Sequence, residues 1–141
     1  MIRVQTDDFD PGIELEQLRS RSAGQAGAIV SFTGLVRDLN AGEAVSQMTL
    51  EHYPGMTEKA LAKIEQAASE QWDITATLII HRVGLLAPND HIVFVAAASP
   101  HRKQAFRACE YMIDYLKTQA PFWKKETLQD GTRWVEPDVS V

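Results

Sequence analysis

The spacing of apolar residues divides the chain into segments of two kinds. Period-two or nearly continuous apolar segments predict strands, whereas apolar residues three and four positions apart predict helices. The predicted strands are 2–6, 27–37, 46–53, 74–84, 91–99, 122–128 and 133–137. The predicted helices are 11–22, 54–72 and 100–119, and a polar loop is predicted over 38–44.

Proline, glycine and serine residues predict where these elements begin and end. Pro11 lies near the start of the first helix. Ser99 is the predicted N-cap of the third helix, Pro100 its first residue, and Pro121 marks its end. An Asp-Gly pair at 130–131 predicts a hairpin between the last two strands.

The order of these elements predicts an α+β domain with a mostly antiparallel or mixed sheet. Neighbouring strands joined by loops or hairpins argue against a doubly wound fold. The strand 91–99 is almost entirely apolar, so we expect it in the centre of the sheet. A chain of 141 residues, 45% of them hydrophobic, fits one domain spanning 1–141.

Charge and cysteine content exclude several classes of protein. A net charge of −5 argues against a general nucleic-acid binder, although it leaves room for a local basic pocket. The single cysteine, Cys109, cannot form an internal disulfide, and no apolar run is long enough for a membrane span. We therefore expect a cytoplasmic protein with no metal site, because the histidines and the cysteine are scattered.

The third helix carries an unusual stripe with a cation at each end. Arg102, Phe106, Cys109, Ile113 and Lys117 are spaced by three or four residues and share one face. The three middle residues are predicted to face the core. Lys117 has two interpretations: it complements the helix dipole while its stem covers apolar surface, or it belongs to a site. Arg102 faces the positive end of the dipole, which a bound anion would explain.

Two places on the chain are candidate anion sites. The first turn of the third helix offers free N–H groups beside His101 and Arg102, which suits a phosphate or carboxylate. Arg37 follows a strand and could bind phosphate through two hydrogen bonds. The alternative in both places is an ordinary exposed cation.

The segment "PFWKKE" (121–126) combines lysines with aromatic residues. Strand alternation predicts Phe122, Lys124 and Glu126 on one face, with Trp123 and Lys125 on the other. Consequently at most one of these two lysines can join Lys117. A lysine beside apolar groups and other cations has a lowered pKa, which suits acid–base work. For Lys125 we favour the alternative of a charged edge strand that discourages aggregation.

Five stretches together resemble the large, catalytic subunit of the molybdopterin synthase family. They are "FTGLVR" (32–37), "LEHYPGMTEKAL" (50–61), "HRVG" (81–84), "VFVAAASPHR" (93–102) and "DYLKTQAPFWKKE" (114–126). The resemblance implies an α/β hammerhead fold with an additional antiparallel sheet. It also implies an enzyme that converts cyclic pyranopterin monophosphate to molybdopterin without a metal or cofactor.

The resemblance further implies a protein partner and a dimer. Two sulfurs come from the C-terminal thiocarboxylate of a small ubiquitin-like carrier subunit, whose tail enters a pocket of the large subunit. Two large subunits form a homodimer, and a carrier at each end completes a heterotetramer. The rival hypotheses are a docking module that binds the carrier without turnover, and a phosphate-binding module for an unrelated nucleotide.

Site residues carry over from the family by position. Lys117 corresponds to the main catalytic lysine and Lys124 to the second. The implied substrate-binding residues are Arg37, His101, Arg102, Lys117, Lys124, Lys125 and Glu126. Leu35 stands where some relatives have lysine, so we do not expect it to hold phosphate. We also predict that Pro121 turns the chain and brings the second lysine back toward the first.

Overall fold

A computed structural model describes residues 1–40, 43–128 and 131–135. The strands are β1 (Ile2–Gln5), β2 (Ala28–Leu35), β3 (Leu39–Asn40), β4 (Glu43–His52), β5 (Ala76–Arg82), β6 (Gly84–Leu86), β7 (His91–Ser99), β8 (Phe122–Leu128) and β9 (Gly131–Val135). The helices are α1 (Pro11–Arg21), α2 (Met56–Gln71) and α3 (Arg102–Gln119). Within these described ranges, no helix is long and apolar enough to cross a membrane.

The first sheet is mixed and has the strand order β1-β5-β7-β2. β1 runs parallel to β5, whereas β5 and β2 both pair with β7 in antiparallel fashion. The predicted central position of the strand 91–99 is thus confirmed. One face of this sheet packs against α2 and α3, and the other face packs against α1 through Leu18. Both faces of β7 are therefore buried, which explains its nearly continuous apolar sequence.

The second sheet is antiparallel and has the order β3-β4-β8-β9, with β6 also paired to β4. Part of the loop predicted over 38–44 is wrong, because Leu39 pairs with Ala44; residues 41 and 42 lie outside the described part of the chain. The strand predicted over 74–84 divides after Arg82, since β5 and β6 belong to different sheets. Gly84 has a φ of 89°, a conformation that lets the chain bend there.

The last hairpin forms between the segments that the sequence indicates. β8 and β9 pair in antiparallel register, with Leu128 opposite Gly131. β9 begins at Gly131 instead of residue 133. Residue 130 of the predicted Asp-Gly turn, and residues 136 and 137 of the predicted strand, lie outside the described residues.

The start of α3 differs from the prediction. The N-cap is His101, and Ser99 remains at the end of β7. The Ser99 hydroxyl donates to the carbonyl oxygen of Asp73 at 2.7 Å and accepts from the N–H of His101 at 3.1 Å. It therefore fixes the turn that precedes the helix, instead of capping the helix itself.

The buried stripe of α3 is displaced by about one residue from the predicted stripe. Phe106 is 62% exposed, although Cys109 and Ile113 are buried as predicted. On α3 the buried residues are Ala105, Ala108, Cys109, Met112, Ile113 and Leu116. On α2 the buried residues are Thr57, Leu61, Ile64 and Ala68. Small alanines let α3 lie close to the sheet, and the larger Phe106 is left on its flank.

Candidate active site

Lys117 and Lys124 meet at one small pocket although they lie on different elements. α3 ends at Gln119 and β8 begins at Phe122, so the chain reverses direction around Pro121. The pocket has a volume of about 30 Å³ and is lined by His81, Leu116, Lys117, Ala120, Phe122, Lys124 and Val135. The turn predicted at Pro121 therefore brings the second lysine back to the first.

The start of α2 is hydrogen-bonded to this turn. The Thr57 hydroxyl donates to the carbonyl oxygen of Pro121 at 3.0 Å and accepts from the N–H of Tyr53, also at 3.0 Å. The preceding Gly55 has a φ of 86°, and its N–H donates to the Glu58 carboxylate at 2.8 Å. The stretch "HYPGMT" thus positions the lysine pocket without lining it.

The two adjacent lysines of β8 point to opposite faces of the sheet, as alternation predicts. Lys124 is half-buried and lines the pocket. Lys125 is exposed, and its Nζ lies 5.8 Å from the centroid of the Trp134 ring. The structure therefore places Lys124 with Lys117 and keeps Lys125 on the outer face.

Glu126 shares the inner face of β8 with Lys124, and only 5% of it is exposed. Its Oε1 accepts a hydrogen bond of 3.1 Å from Nε of Arg133, directly across the hairpin. The buried carboxylate is thus part of a β8–β9 ion pair. Arg133 was not among the residues that the sequence singled out, because the pairing register of β9 decides the contact.

His81 is a member of the pocket that sequence reasoning missed. It is 3% exposed, and its ring stacks on Phe122 with 3.7 Å between centroids. Burial, and then the charges of Lys117, Lys124 and His52, lower the pKa of His81 to about 3. Alternation along β5 offered a signal, since it places His81 on the same face as the buried Ile79.

Arg37 lies outside the lysine pocket but at the same end of the first sheet. It is exposed and lines a separate surface depression with Leu35, Val36, Asp38, Pro88 and Asn89. At this end Leu35 is paired with His91, and His81 is paired with Val93. Arg37 therefore follows a strand that ends at the same end of the first sheet as His81 of the lysine pocket.

His101 and Arg102 are not brought to the lysine pocket of their own chain. Both are exposed at the beginning of α3. Arg102 precedes Lys117 by fifteen residues on one continuous helix, which separates their Cα atoms by about 22 Å. The anion site predicted at the helix start and the lysine pocket are hence two distinct places on one chain.

Comparison with known proteins decides the family. Residues 4–119 match the family model described as MoaE protein. The chain belongs to the MoaE family. Two curated MoaE relatives, from Ralstonia nicotianae and Escherichia coli, are both named molybdopterin synthase catalytic subunit. The first is 58% identical over 139 residues, covering 99% of this chain and 78% of the relative. The second is 50% identical over 135 residues, covering 96% and 89%.

Solved MoaE structures have the same fold. The molybdopterin biosynthesis MoaE protein from Burkholderia ambifaria is 53% identical with a TM-score of 0.85, covering 100% of this chain and 92% of that one. The molybdopterin synthase from Staphylococcus aureus is 39% identical with a TM-score of 0.84, covering 94% and 95%. The α+β fold class is thus confirmed, and so is an enzymatic role as the catalytic subunit in molybdopterin synthesis.

Metal ligands are not grouped in the part of this MoaE chain that is described. Across 1–40, 43–128 and 131–135, no three His, Cys, Asp or Glu residues are arranged to hold a metal ion. The groups that the pocket offers are ammonium ions and a neutral imidazole, which suit anion binding and proton transfer.

Proposed function

We propose that this MoaE chain converts cyclic pyranopterin monophosphate to molybdopterin at the pocket that Lys117 and Lys124 share. The observation that carries the proposal is the meeting of these two lysines at one pocket, from the end of α3 and from β8. Sulfur addition to the pterin side chain needs protons delivered and removed, and the cyclic phosphate has to open. A lysine ammonium can deliver a proton and stabilise negative charge, and the neutral amine that it leaves can remove one.

In this proposal, the two lysines have different roles. Lys117 is the general acid and base nearest the incoming carrier tail, and Lys124 stabilises the charge that develops. The pocket is about 30 Å³, room for a water-sized group only. Only the terminal atom of the thiocarboxylate would therefore enter between the lysines, while the rest of the tail and the pterin lie at the mouth.

The phosphate of the substrate would be held by the arginine and histidine residues. Arg37 is at the lysine end of the first sheet, whereas His101 and Arg102 are at the opposite end of α3. Since about 22 Å separates Arg102 from Lys117 along the helix, one chain cannot surround one substrate with all of them. We therefore propose a homodimer in which His101 and Arg102 of a second copy complete the site.

The proposed partner of each lysine pocket is a small ubiquitin-like subunit with a C-terminal thiocarboxylate. The name of the relatives, catalytic subunit, supports the existence of a further subunit. One carrier at each pocket of the homodimer gives a heterotetramer. Of the two remaining substrate-binding candidates, Glu126 is supported by its position on the pocket face, and Lys125 has less support because it faces outward.

We place this reaction in the cytoplasm. Cys109 is a free thiol, and thiols of this kind are kept reduced in cytosolic proteins. Cell fractionation with an antibody against the chain tests the assignment, and recovery in a secreted or membrane fraction contradicts it.

Reconstitution tests the catalytic proposal. The purified chain is mixed with a thiocarboxylated carrier and cyclic pyranopterin monophosphate, and the dithiolene product is measured. The Lys117→Ala variant is expected to lose turnover by about 100-fold or more, because general acid–base groups contribute at least that much. Full turnover by a normally folded Lys117→Ala protein would exclude the role of Lys117.

A hybrid dimer tests whether two copies build one site. Lys117→Ala and Arg102→Ala chains carry different affinity tags, and dimers that contain both are isolated. One of the two sites in such a hybrid is intact if the site is shared, so about half of the parent turnover is expected. If the turnover of the hybrid dimer is no higher than that of a dimer of either variant alone, the site is not shared.

A further inference from the structure

His81 is a buried polar member of the lysine pocket, with contacts on its ring face and on one ring nitrogen. It lies near the end of β5, and only 3% of it is exposed. The face of its ring stacks on Phe122, with an angle of 16° between the planes. Phe122 is also the first residue of the strand that carries Lys124. The ring therefore cannot rotate without moving the residue that begins β8.

A backbone contact determines which ring nitrogen of His81 carries the proton. Nδ1 lies 2.8 Å from the carbonyl oxygen of Arg82. A carbonyl oxygen can only accept, so Nδ1 must be the N–H donor of this hydrogen bond. In a neutral ring the proton is then absent from Nε2, which keeps its lone pair as an acceptor.

The charged and titratable groups that act on His81 come from three elements. They are Lys117 on α3, Lys124 on β8 and His52 on β4, in decreasing order of effect. Burial and these neighbours lower the pKa of His81 to about 3, so the ring is neutral at physiological pH. A protonated ring would add a third positive charge beside two ammonium groups, whereas the neutral ring offers them an acceptor.

The geometry points to His81 as a positioning residue: its ring and Lys117 line the same pocket, and Nε2 is the acceptor that would orient the Lys117 ammonium toward the reacting groups. Lys117 lines the same pocket as the ring, and its charge lowers the pKa of His81 more than the charge of Lys124 does. This inference rests on the proposed function of the lysine pocket. A hydrogen bond to Nε2 would give Lys117, whose side chain is long and flexible, one defined direction.

Two substitutions separate the acceptor from the packing. His81→Phe keeps an aromatic ring against Phe122 but removes the lone pair, and His81→Gln keeps an acceptor oxygen. A hydrogen bond to the charged form favours that form, so its loss lowers the pKa of Lys117. We expect the apparent pKa of Lys117 to fall by about one unit in His81→Phe and to stay near the parent value in His81→Gln.

The titration of Lys117 is measured without turnover. Protein samples between pH 7 and pH 11 react briefly with acetic anhydride, and mass spectrometry quantifies acetylation at Lys117. Thermal unfolding confirms that each variant is folded. An unchanged Lys117 titration in folded His81→Phe overturns the inference, as does an equal change in both variants, because the lone pair is then not the cause.

Turnover gives the second readout. In His81→Phe we expect kcat to fall about 10-fold, with the KM for the carrier within about 2-fold, and His81→Gln should recover most of the loss. If kcat falls in both variants in proportion to the fraction of unfolded protein, the inference is overturned. Failure of the parent protein to convert the pterin would refute the proposed function, yet the Lys117 titration would still decide the role of His81.

The unmutated protein allows a test that does not depend on folding of a variant. The ¹⁵N shifts of the His81 ring identify its tautomer between pH 7 and pH 5. A neutral ring with the proton on Nδ1 across this range is expected. A ring protonated on Nε2, in either the neutral or the charged form, overturns the inference.

Discussion

The Thr57 hydroxyl donates a hydrogen bond to the carbonyl oxygen of Pro121, the residue at the turn between the two lysines. Thr57 is completely buried, although threonine is a common surface residue. Its oxygen also accepts from the N–H of Tyr53, so the hydroxyl satisfies two backbone groups at once. The first turn of α2 is therefore linked by a hydrogen bond to the turn that separates Lys117 from Lys124.

Replacement of Thr57 by valine should weaken both the fold and the pocket. Valine has nearly the same shape but leaves the Pro121 carbonyl and the Tyr53 N–H without this partner. We expect the free energy of unfolding to fall by about 1–3 kcal/mol in urea denaturation. Turnover should fall as well, because the turn between α3 and β8 then positions Lys117 and Lys124 less accurately.

Thr57→Ser is the matched control for that prediction. Serine keeps the hydroxyl and both hydrogen bonds and loses only a methyl group, which costs about 1 kcal/mol. Turnover close to that of the parent is expected in Thr57→Ser. Equal loss of turnover in both variants would show that the methyl group, and not the hydrogen bond to Pro121, holds the turn.

Lys124 and Lys125 provide a comparison between adjacent residues of identical type. Lys124 lines the pocket, whereas Lys125 lies over Trp134 on the outer face of the sheet. Lys124→Ala is expected to lower kcat by about 100-fold, which is typical of a removed acid–base or charge-stabilising group. Lys125→Ala should keep kcat within about 2-fold and lose at most about 1 kcal/mol of stability with the cation–π contact.

Single-turnover measurement with preformed carrier complex checks both variants under the same conditions. It reports the chemical step, so a weaker carrier contact by Lys125 does not enter the result. If the two alanine variants lose equal activity, the division of roles between the two faces of β8 is wrong.

Burial of His81 predicts a loss of stability in mild acid. The folded protein lowers the pKa of His81 to about 3, whereas an exposed histidine titrates near 6.5. Between these values the unfolded state binds the extra proton, so stability falls as the pH falls through 6.5 toward 3. The expected loss from this group is about 2 kcal/mol between pH 7 and pH 5.

Urea denaturation of the parent and of His81→Phe at several pH values measures this contribution. The phenylalanine variant lacks the titrating ring and should have a flatter profile between pH 7 and pH 5. The hydrogen bond with His91 lowers the pKa of Asp8 from its ordinary value, so this carboxylate does not contribute in this window. Identical slopes for the two proteins would contradict a buried neutral His81.

The sequence predicted the features of this site that depend on side-chain alternation. Lys124 and Lys125 were separated correctly because β8 has one face toward the protein and one toward solvent. The end of α3 was predicted because proline at 121 disfavours helix at the preceding residue. Both results follow from local rules that tertiary packing did not override.

Other features depended on contacts between distant segments and could not be predicted locally. Phe106 matched the apolar spacing of α3, yet the closest approach to the sheet is made by Ala105 and Ala108. His81 was missed because its importance comes from Lys117 and Phe122, which are more than thirty residues away along the chain. The partner of Glu126 likewise depends on the register between β8 and β9.

The ion pair between Glu126 and Arg133 gives the last prediction. The Glu126 carboxylate is almost fully buried, while the Arg133 side chain is 27% exposed. Arg133→Met removes the guanidinium and leaves a buried carboxylate beside the lysine pocket. We expect a loss of about 2–3 kcal/mol, near the lower end for a broken buried pair because Arg133 is partly exposed.

A double variant distinguishes the loss of the Glu126–Arg133 ion pair from a general destabilisation of the fold. Glu126→Gln combined with Arg133→Met removes both charges and keeps the side-chain volumes, so most of the stability should return. Urea denaturation of the two single variants and the double variant gives the coupling energy. If the double variant is as unstable as the sum of the single variants, the pair does not hold β9 on β8. In that case the packing of Phe122, and not the ion pair of Glu126 with Arg133, positions Lys124.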